Sequence, residues 1–262
     1  YVAVLRESVD AKAHDIGLEV NRNANLHVLP NIAGFVGSDT VALVIASGMA
    51  REEHVRLSID IGTNGEVVIG NRDRLVACSC AAGPAFEGAR IRCGMRATEG
   101  AISKVVINEA IEVSVIGGGR ATGICGSGLI DAVAELLDAG LIDETGRIPG
   151  PDSAGHVPES LRPALVTFEG QPAVVLVEAA QSKTDTPILL TQRDVREVQL
   201  AKAAIRAGIQ VVAAEFGIAP EEVSKVLLAG GFGNFVRRSR AKRIGLLPDI
   251  SSERIEFIGN AA

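Results

Sequence analysis

The sequence predicts an α/β fold, a partly antiparallel sheet with helices on its faces, and three observations predict it. "VRLSIDIG", "EVVIGN" and "RLVACSCA" follow one another across tight polar turns at Thr63–Gly65 and Asn71–Arg74, the chemistry of an antiparallel meander. "TQRDVREVQLAKAAIRAGIQVVAAEFG" carries the apolar period of a long helix. After it, "SKVLLAGGFGNF" reads as a strictly buried strand that ends in glycines.

The elements follow in order. Residues 1–20 show a mixed helical pattern ending at Gly17, and "NLHVLPNIAGFVG" reads as a strand broken by Pro30 before a glycine-rich loop. Ser38 and Asp39 supply an N-cap for the short apolar helix "TVALVIASGM". Beyond the meander, "GPAFEGARIRCGM" opens on Gly-Pro and continues helix-like, while "AISKVVINEAIEVSVIGGG" alternates like a hairpin. "GSGLIDAVAELLDAGLI" reads as an amphipathic helix. Residues 143–187 hold much of the Pro, Gly and Ser, with "AVVLVEA" the one strong pattern, and are taken as an insertion. The long helix has Thr191 as N-cap and Gly217 as stop, and a basic helix "VRRSRAKRIG" precedes the last strand, "RIEFIG". Because Tyr1 is not Met and both ends run straight into patterned sequence, the expectation is a piece of a longer protein.

Composition removes several function classes. A 262-residue chain that is 47% hydrophobic can bury a core, and its net charge of −6 gives no electrostatic affinity for nucleic acid or an anionic membrane. No apolar run is long enough to cross a bilayer. Cys78, Cys80, Cys93 and Cys125 match no zinc or cluster spacing and read as packing residues of a reducing, cytoplasmic protein. His14, His27, His54 and His156 form no ligand pair, and "RRSRAK" from Arg237 to Lys242 is a solvated helix face by default.

The chemistry-bearing stretch is "LSIDIGTNGEVVIG". A glycine turn between strands leaves backbone N–H groups facing one concavity that suits phosphate oxygens, and Thr63 and Asn64 add neutral donors between Gly62 and Gly65. Asp60 would repel phosphate but can hold Mg2+, directly or through water. The bland alternative is a plain hairpin turn. Gly230, Gly231 and Gly233 at the end of the buried strand let a planar group approach the backbone. Gly126 and Ser127 open a helix, where anions bind or the hydroxyl simply caps. Lys202 on the long helix could reach a ribose or phosphate, and Glu87 after a Gly-Pro turn could contact a ribose or adenine; each also has a purely structural reading.

In this order the motifs resemble the C-terminal half of the acetate and sugar kinase, heat-shock chaperone and actin superfamily. "DIGTNG" is similar to its second phosphate loop, "LLAGGFG" to its adenosine motif, and "GSDTVALVIASGM" stands where its first connecting helix does. "CSCAAGPAFEGARIRCGMRATEGAI", "GICGSGLIDAVAELL" and "LTQRDVREVQLAKAAIRAGI" resemble one branch more closely, the ATP-dependent reductive activators of corrinoid proteins.

That resemblance implies a ribonuclease H-like, actin-like ATPase lobe with a mixed five-stranded sheet flanked by helices, plus part of a second lobe. Residues 1–54 would be the tail of the preceding lobe with its connecting helix, and 55–262 the nucleotide-binding lobe. It implies ATP and Mg2+ as ligands, a corrinoid protein as partner, a homodimer as one assembly, and return of Co(II) corrinoid to Co(I). The iron–sulfur cluster that supplies the electron would lie outside this chain, as would the first phosphate loop. Two alternatives stay open, a small-molecule kinase of the same superfamily and a non-hydrolysing, nucleotide-responsive binding module. Activators of 2-hydroxyacyl-CoA dehydratases share the fold, but their paired cluster cysteines are not reproduced here.

Overall fold

The computed structural model describes residues 2–231 and 236–260. Val9–Lys12 (β1) and Asn25–Val28 (β2) pair as an antiparallel ribbon, and Ser38–Ser47 (α1) follows. Arg56–Ile61 (β3), Gly65–Gly70 (β4) and Leu75–Cys80 (β5) form the antiparallel meander. Ala101–Ile107 (β6) and Ile111–Val115 (β7) make a hairpin, with Gly123–Ile124 (β8) parallel to β6. Gly126–Asp138 (α2) leads to a second antiparallel sheet of Leu165–Phe168 (β9), Gln171–Val177 (β10) and Ile188–Thr191 (β11). The chain closes with Gln192–Phe216 (α3), Lys225–Ala229 (β12), Arg238–Arg243 (α4) and Ile255–Gly259 (β13).

The central sheet has the order β13-β12-β3-β4-β5, parallel from β13 to β3 and antiparallel from β3 to β5. This is the mixed five-stranded sheet of the ribonuclease H-like class. Alternation along the strands divides its faces. Leu57, Ile59 and Ile61 of β3 join Val67 and Ile69 of β4 in the main core, where Ile205, Ile209 and Val212 of α3 also lie. Val68 and Ala229 point the other way and meet Leu43 of α1 and Met49. Asp60, two residues beyond Ser58 on β3, is therefore on the α1 side of the sheet.

α3 forms as its ends require. The Thr191 side chain accepts from Asp194 N and Asp194 returns a bond to the Thr191 backbone, a closed capping box, and Gly217 at φ 97° ends the helix. Close approach to β4 and β5 depends on Gly208, where a Cβ would stand 2.1 Å from Cys80 Sγ.

Several expectations are corrected. Residues 1–20 are not helical. Val9 and Ala11 alternate with Asp10 and Lys12 as β1, and only one 3-10 turn, Ala13–Ile16, precedes Gly17. The N-cap of α1 is Gly37, because Ser38 Oγ is drawn off to Leu29 O at 2.7 Å and Asp39 Oδ1 accepts from its neighbour Thr40 N. "GPAFEGARIRCGM" yields only the 3-10 turn Pro84–Glu87, since Gly88 (φ 84°) and Arg90 (φ 65°) are both left-handed.

α2 is not amphipathic in place; every residue from Gly126 to Leu136 is buried. β8 pairs with β6 at Ala101 and Ile102, and among the described residues no strand pairs with the rest of that edge. Side chains of α2 cover it: Val105 N donates to Asp131 and Ile107 N to Glu135. Nor is "RRSRAK" a solvated face. Arg237 donates to Asp131 (2.7 Å), Glu135 (3.0 Å) and Val105 O (2.6 Å), while Arg240 and Arg243 hold Asp138. The four cysteines are free, Cys80 and Cys125 buried and the other two half-buried.

Candidate functional site

Two chain reversals meet at the end of the central sheet. Ile61 and Gly65 are partners, so residues 62–64 form a three-residue hairpin loop, closed by Gly62 N donating to Asn64 O at 3.0 Å. Among the described residues, the amides of Thr63 and Asn64 have no backbone partner, and both side chains are exposed. Asp60, just before the loop, faces Glu66 across the hairpin and Ala229 across the parallel pair. The chain then turns at Gly230 with φ 111°. A Cβ there would stand 2.5 Å from Ile61 O and 3.1 Å from Asp60 Oδ1. Only glycine lets the end of β12 cross this closely over the end of β3.

The hairpin and the corner open on one hollow of about 470 Å³. Gly62 and Gly231 are among its lining residues, with Phe86, Glu87, Arg96 and Gly126. Thr63 Oγ1 donates to Glu87 Oε1 at 2.9 Å, tying the loop to the wall. Gly126 must be glycine for packing, because a Cβ would lie 2.0 Å from Phe86 O.

A family description for the C-terminal domain of RACo, the ASKHA domain, matches residues 54–262, and one for the RACo middle region matches residues 1–52. The chain belongs to the RACo family. It is 39% identical to the corrinoid activation enzyme RamQ of Eubacterium limosum, over 100% of this chain and 44% of RamQ. It is 28% identical to the [Co(II) methylated amine-specific corrinoid protein] reductase of Methanosarcina barkeri, over 92% of this chain and 43% of that protein. A solved structure of a reductive activator for corrinoid, iron–sulfur protein superposes on the whole chain with TM-score 0.89 and 38% identity, covering 41% of that structure. This RACo-family chain thus spans less than half the length of each of these relatives.

In this RACo-family chain, Gly62, Glu87, Gly126 and Gly231 line one hollow, with Asp60, Thr63 and Gly230 at its edge. Asn64 is at the exposed loop tip. Gly65 lies under α3, where a Cβ would meet Ile205 Cγ1 at 2.9 Å. Ser127 is fully buried, its Oγ 3.3 Å from Cys125 Sγ and outside the lining. Lys202 is also elsewhere: its Nζ donates to Ile244 O at 2.8 Å, beside Gln199 and Arg243 in a separate hollow. Gly233 lies outside the described residues.

The electrostatics around Asp60 are one-sided. Burial, then the charge of Asp39, raises its carboxyl above the ordinary range. Glu66 is raised as well, first by burial, and a bond from Ser79 Oγ at 3.1 Å works in the opposite direction. Among the described residues Asp60 has no hydrogen-bond or ion-pair partner, and the neighbouring charges that act on it and on Glu66 are carboxylates.

The sequence reading missed Glu66 and Arg96. Counting back from a three-residue loop places Glu66 opposite Asp60, so that signal was present. Arg96 sits in an irregular stretch with no period to read. Met95 N bonding Ile124 O at 2.9 Å brings it to the hollow, and that contact is tertiary.

Proposed function

We propose that this chain is the ATP-binding and ATP-hydrolysing part of a reductive activator that returns Co(II) corrinoid proteins to Co(I), the electron coming from an iron–sulfur domain outside it. Residues 55–262 are the nucleotide-binding lobe and 1–54 the tail of the lobe before it. One observation carries the reading: Gly230 crosses directly over Ile61 O and Asp60 Oδ1, and the adjoining Gly62 and Gly231 line one hollow. The names of the relatives supply the reaction class.

The amides of Thr63 and Asn64, without a backbone partner among the described residues, donate to phosphate oxygens, and the Gly230–Gly231 corner admits the adenosine. Among the described residues no three His, Cys, Asp or Glu side chains converge on one point. One carboxylate, Asp60, with no hydrogen-bond or ion-pair partner among the described residues and no full protein ligand set around it, fits Mg2+, which keeps waters and substrate phosphates in its shell. Asp60 would hold that ion, directly or through water, and the chemistry the ion would supply is neutralisation of phosphate charge. Glu87 fixes Thr63, so the loop is pre-positioned. Nucleotide-driven closure changes affinity for the corrinoid partner only as far as the closed and open states differ in nucleotide affinity.

The test is titration of the chain with Mg-ATP beside its Asp60→Asn variant. The expected result is saturable binding by the wild type, weakened about tenfold or more in the variant on loss of one charge-assisted contact. An activator containing this lobe then converts Co(II) to Co(I) corrinoid, read by cobalamin absorbance, only with ATP and a reductant. Equal Mg-ATP affinity in wild type and variant, or corrinoid reduction at the same rate without ATP, would reject the proposal.

A further inference from the structure

The hollow between the hairpin and the 86–98 wall has one basic side chain among its described lining residues, Arg96. It is exposed and, among the described residues, forms no ion pair. The nearby arginines are engaged: Arg90 lies 3.9 Å from Glu197, and Arg92 lies 3.5 Å from Glu169 with its guanidinium over the Phe168 ring. The backbone that carries Arg96 is held on both sides. Met95 N donates to Ile124 O at 2.9 Å, and Thr98 N and Oγ1 both donate to Arg96 O, at 2.8 and 3.4 Å. A tied-down turn thus presents an uncommitted guanidinium to the same space as Gly62 and Glu87.

Charge balance gives that guanidinium a task. The other ionisable groups at the hollow and its edge are the carboxylates of Glu87 and Asp60, which repel a phosphate chain. A cation at Asp60 offsets the charge on one side only, and Lys202 is bound to Ile244 O in another hollow. The terminal group of a nucleoside triphosphate carries the highest charge density and the most free oxygens, and the planar guanidinium fork pairs such oxygens two at a time.

We infer that Arg96 is a specificity-determining residue of this cleft, binding the terminal phosphate of a nucleoside triphosphate and so separating triphosphate from diphosphate. The inference rests on the nucleotide reading above. The experiment measures the affinity of the chain for Mg-ATP and Mg-ADP in the wild type, Arg96→Gln and Arg96→Lys. Arg96→Gln is expected to weaken Mg-ATP by about 10- to 100-fold, the range for a charged hydrogen-bonded contact, and Mg-ADP by less than about 3-fold. Arg96→Lys falls between, since an ammonium keeps the charge without the fork. Thermal unfolding of both variants is expected to match the wild type, which separates a binding role from a structural one. Equal loss for both nucleotides, or no loss for either, overturns the role of Arg96 while leaving the nucleotide site standing. A wild-type chain that binds neither nucleotide overturns the nucleotide reading and this inference together.

Discussion

Arg237→Met tests whether the α2–α4 contact is an electrostatic weld. In the wild type, Asp131 is fully buried, and Arg237 reaches it at 2.7 Å while also holding Glu135 at 3.0 Å and Val105 O at 2.6 Å. Burial pushes Asp131 up to about 6 although Arg237 pulls it down. A carboxyl raised in the folded state contributes stability that is complete below its unfolded value of 3.8 and is lost as pH rises through about 6. Removing the guanidinium deletes the downward pull, so the carboxyl rises further and the loss with pH steepens. At pH 8 the variant strands a buried carboxylate, a cost of about 3–5 kcal/mol. At pH 5 Asp131 is mostly protonated in both proteins, and Glu135 keeps Arg240 at 2.5 Å. The loss there falls to about 1 kcal/mol, roughly the Val105 hydrogen bond. Urea unfolding of both proteins at the two pH values gives the two differences directly. The same destabilisation at pH 5 and pH 8 would refute the electrostatic account and leave only packing.

Three further perturbations follow from named contacts. Asp60→Asn removes a carboxylate that burial and Asp39 both disfavour, so it is expected to raise the thermal midpoint at pH 7 while weakening Mg-ATP binding; a lower midpoint would contradict the one-sided field. Gly230→Ala forces a Cβ to 2.5 Å from Ile61 O at φ 111°, and should cost about 1–3 kcal/mol in denaturant unfolding together with nucleotide affinity. Gly208→Ala drives a methyl to 2.1 Å from Cys80 Sγ, an overpacking cost of about 1–3 kcal/mol that exceeds the gain in helix propensity; Cys80→Ala in the same chain should recover part of it, and strict additivity would show that the two sites do not touch.

The parts legible in the sequence were those with local rules. The β3–β5 meander, the β6–β7 hairpin, the capped ends of α3 and the buried β12 each carry turn chemistry or a period within a few residues. The mixed five-stranded sheet came from resemblance, and strand pairing agrees with it. The failures share a cause. Residues 1–20 have a helical period, yet β1 is held by its partner β2, a contact the period does not encode. α2 looks amphipathic because Asp131 and Glu135 are acids, but both cover the open edge of β6 and meet arginines about a hundred residues away. The basic run 237–243 looked solvated for the same reason seen from the other side.

The site divides along that line. Asp60, the Gly62–Gly65 turn and the Gly230–Gly231 corner are visible as residue types, because a hairpin and a close backbone crossing each demand glycine where it stands. Sequence therefore determined which groups are available and the order of the strands that carry them. Which groups share a space was decided by tertiary structure. Parallel pairing of β12 with β3 set Gly230 against Asp60, the Ile124 contact brought Arg96 to the hollow, and Ile244 took Lys202 away from it. Backbone conformation is chosen within a few residues, whereas the position of a charge depends on long-range packing that no local period records.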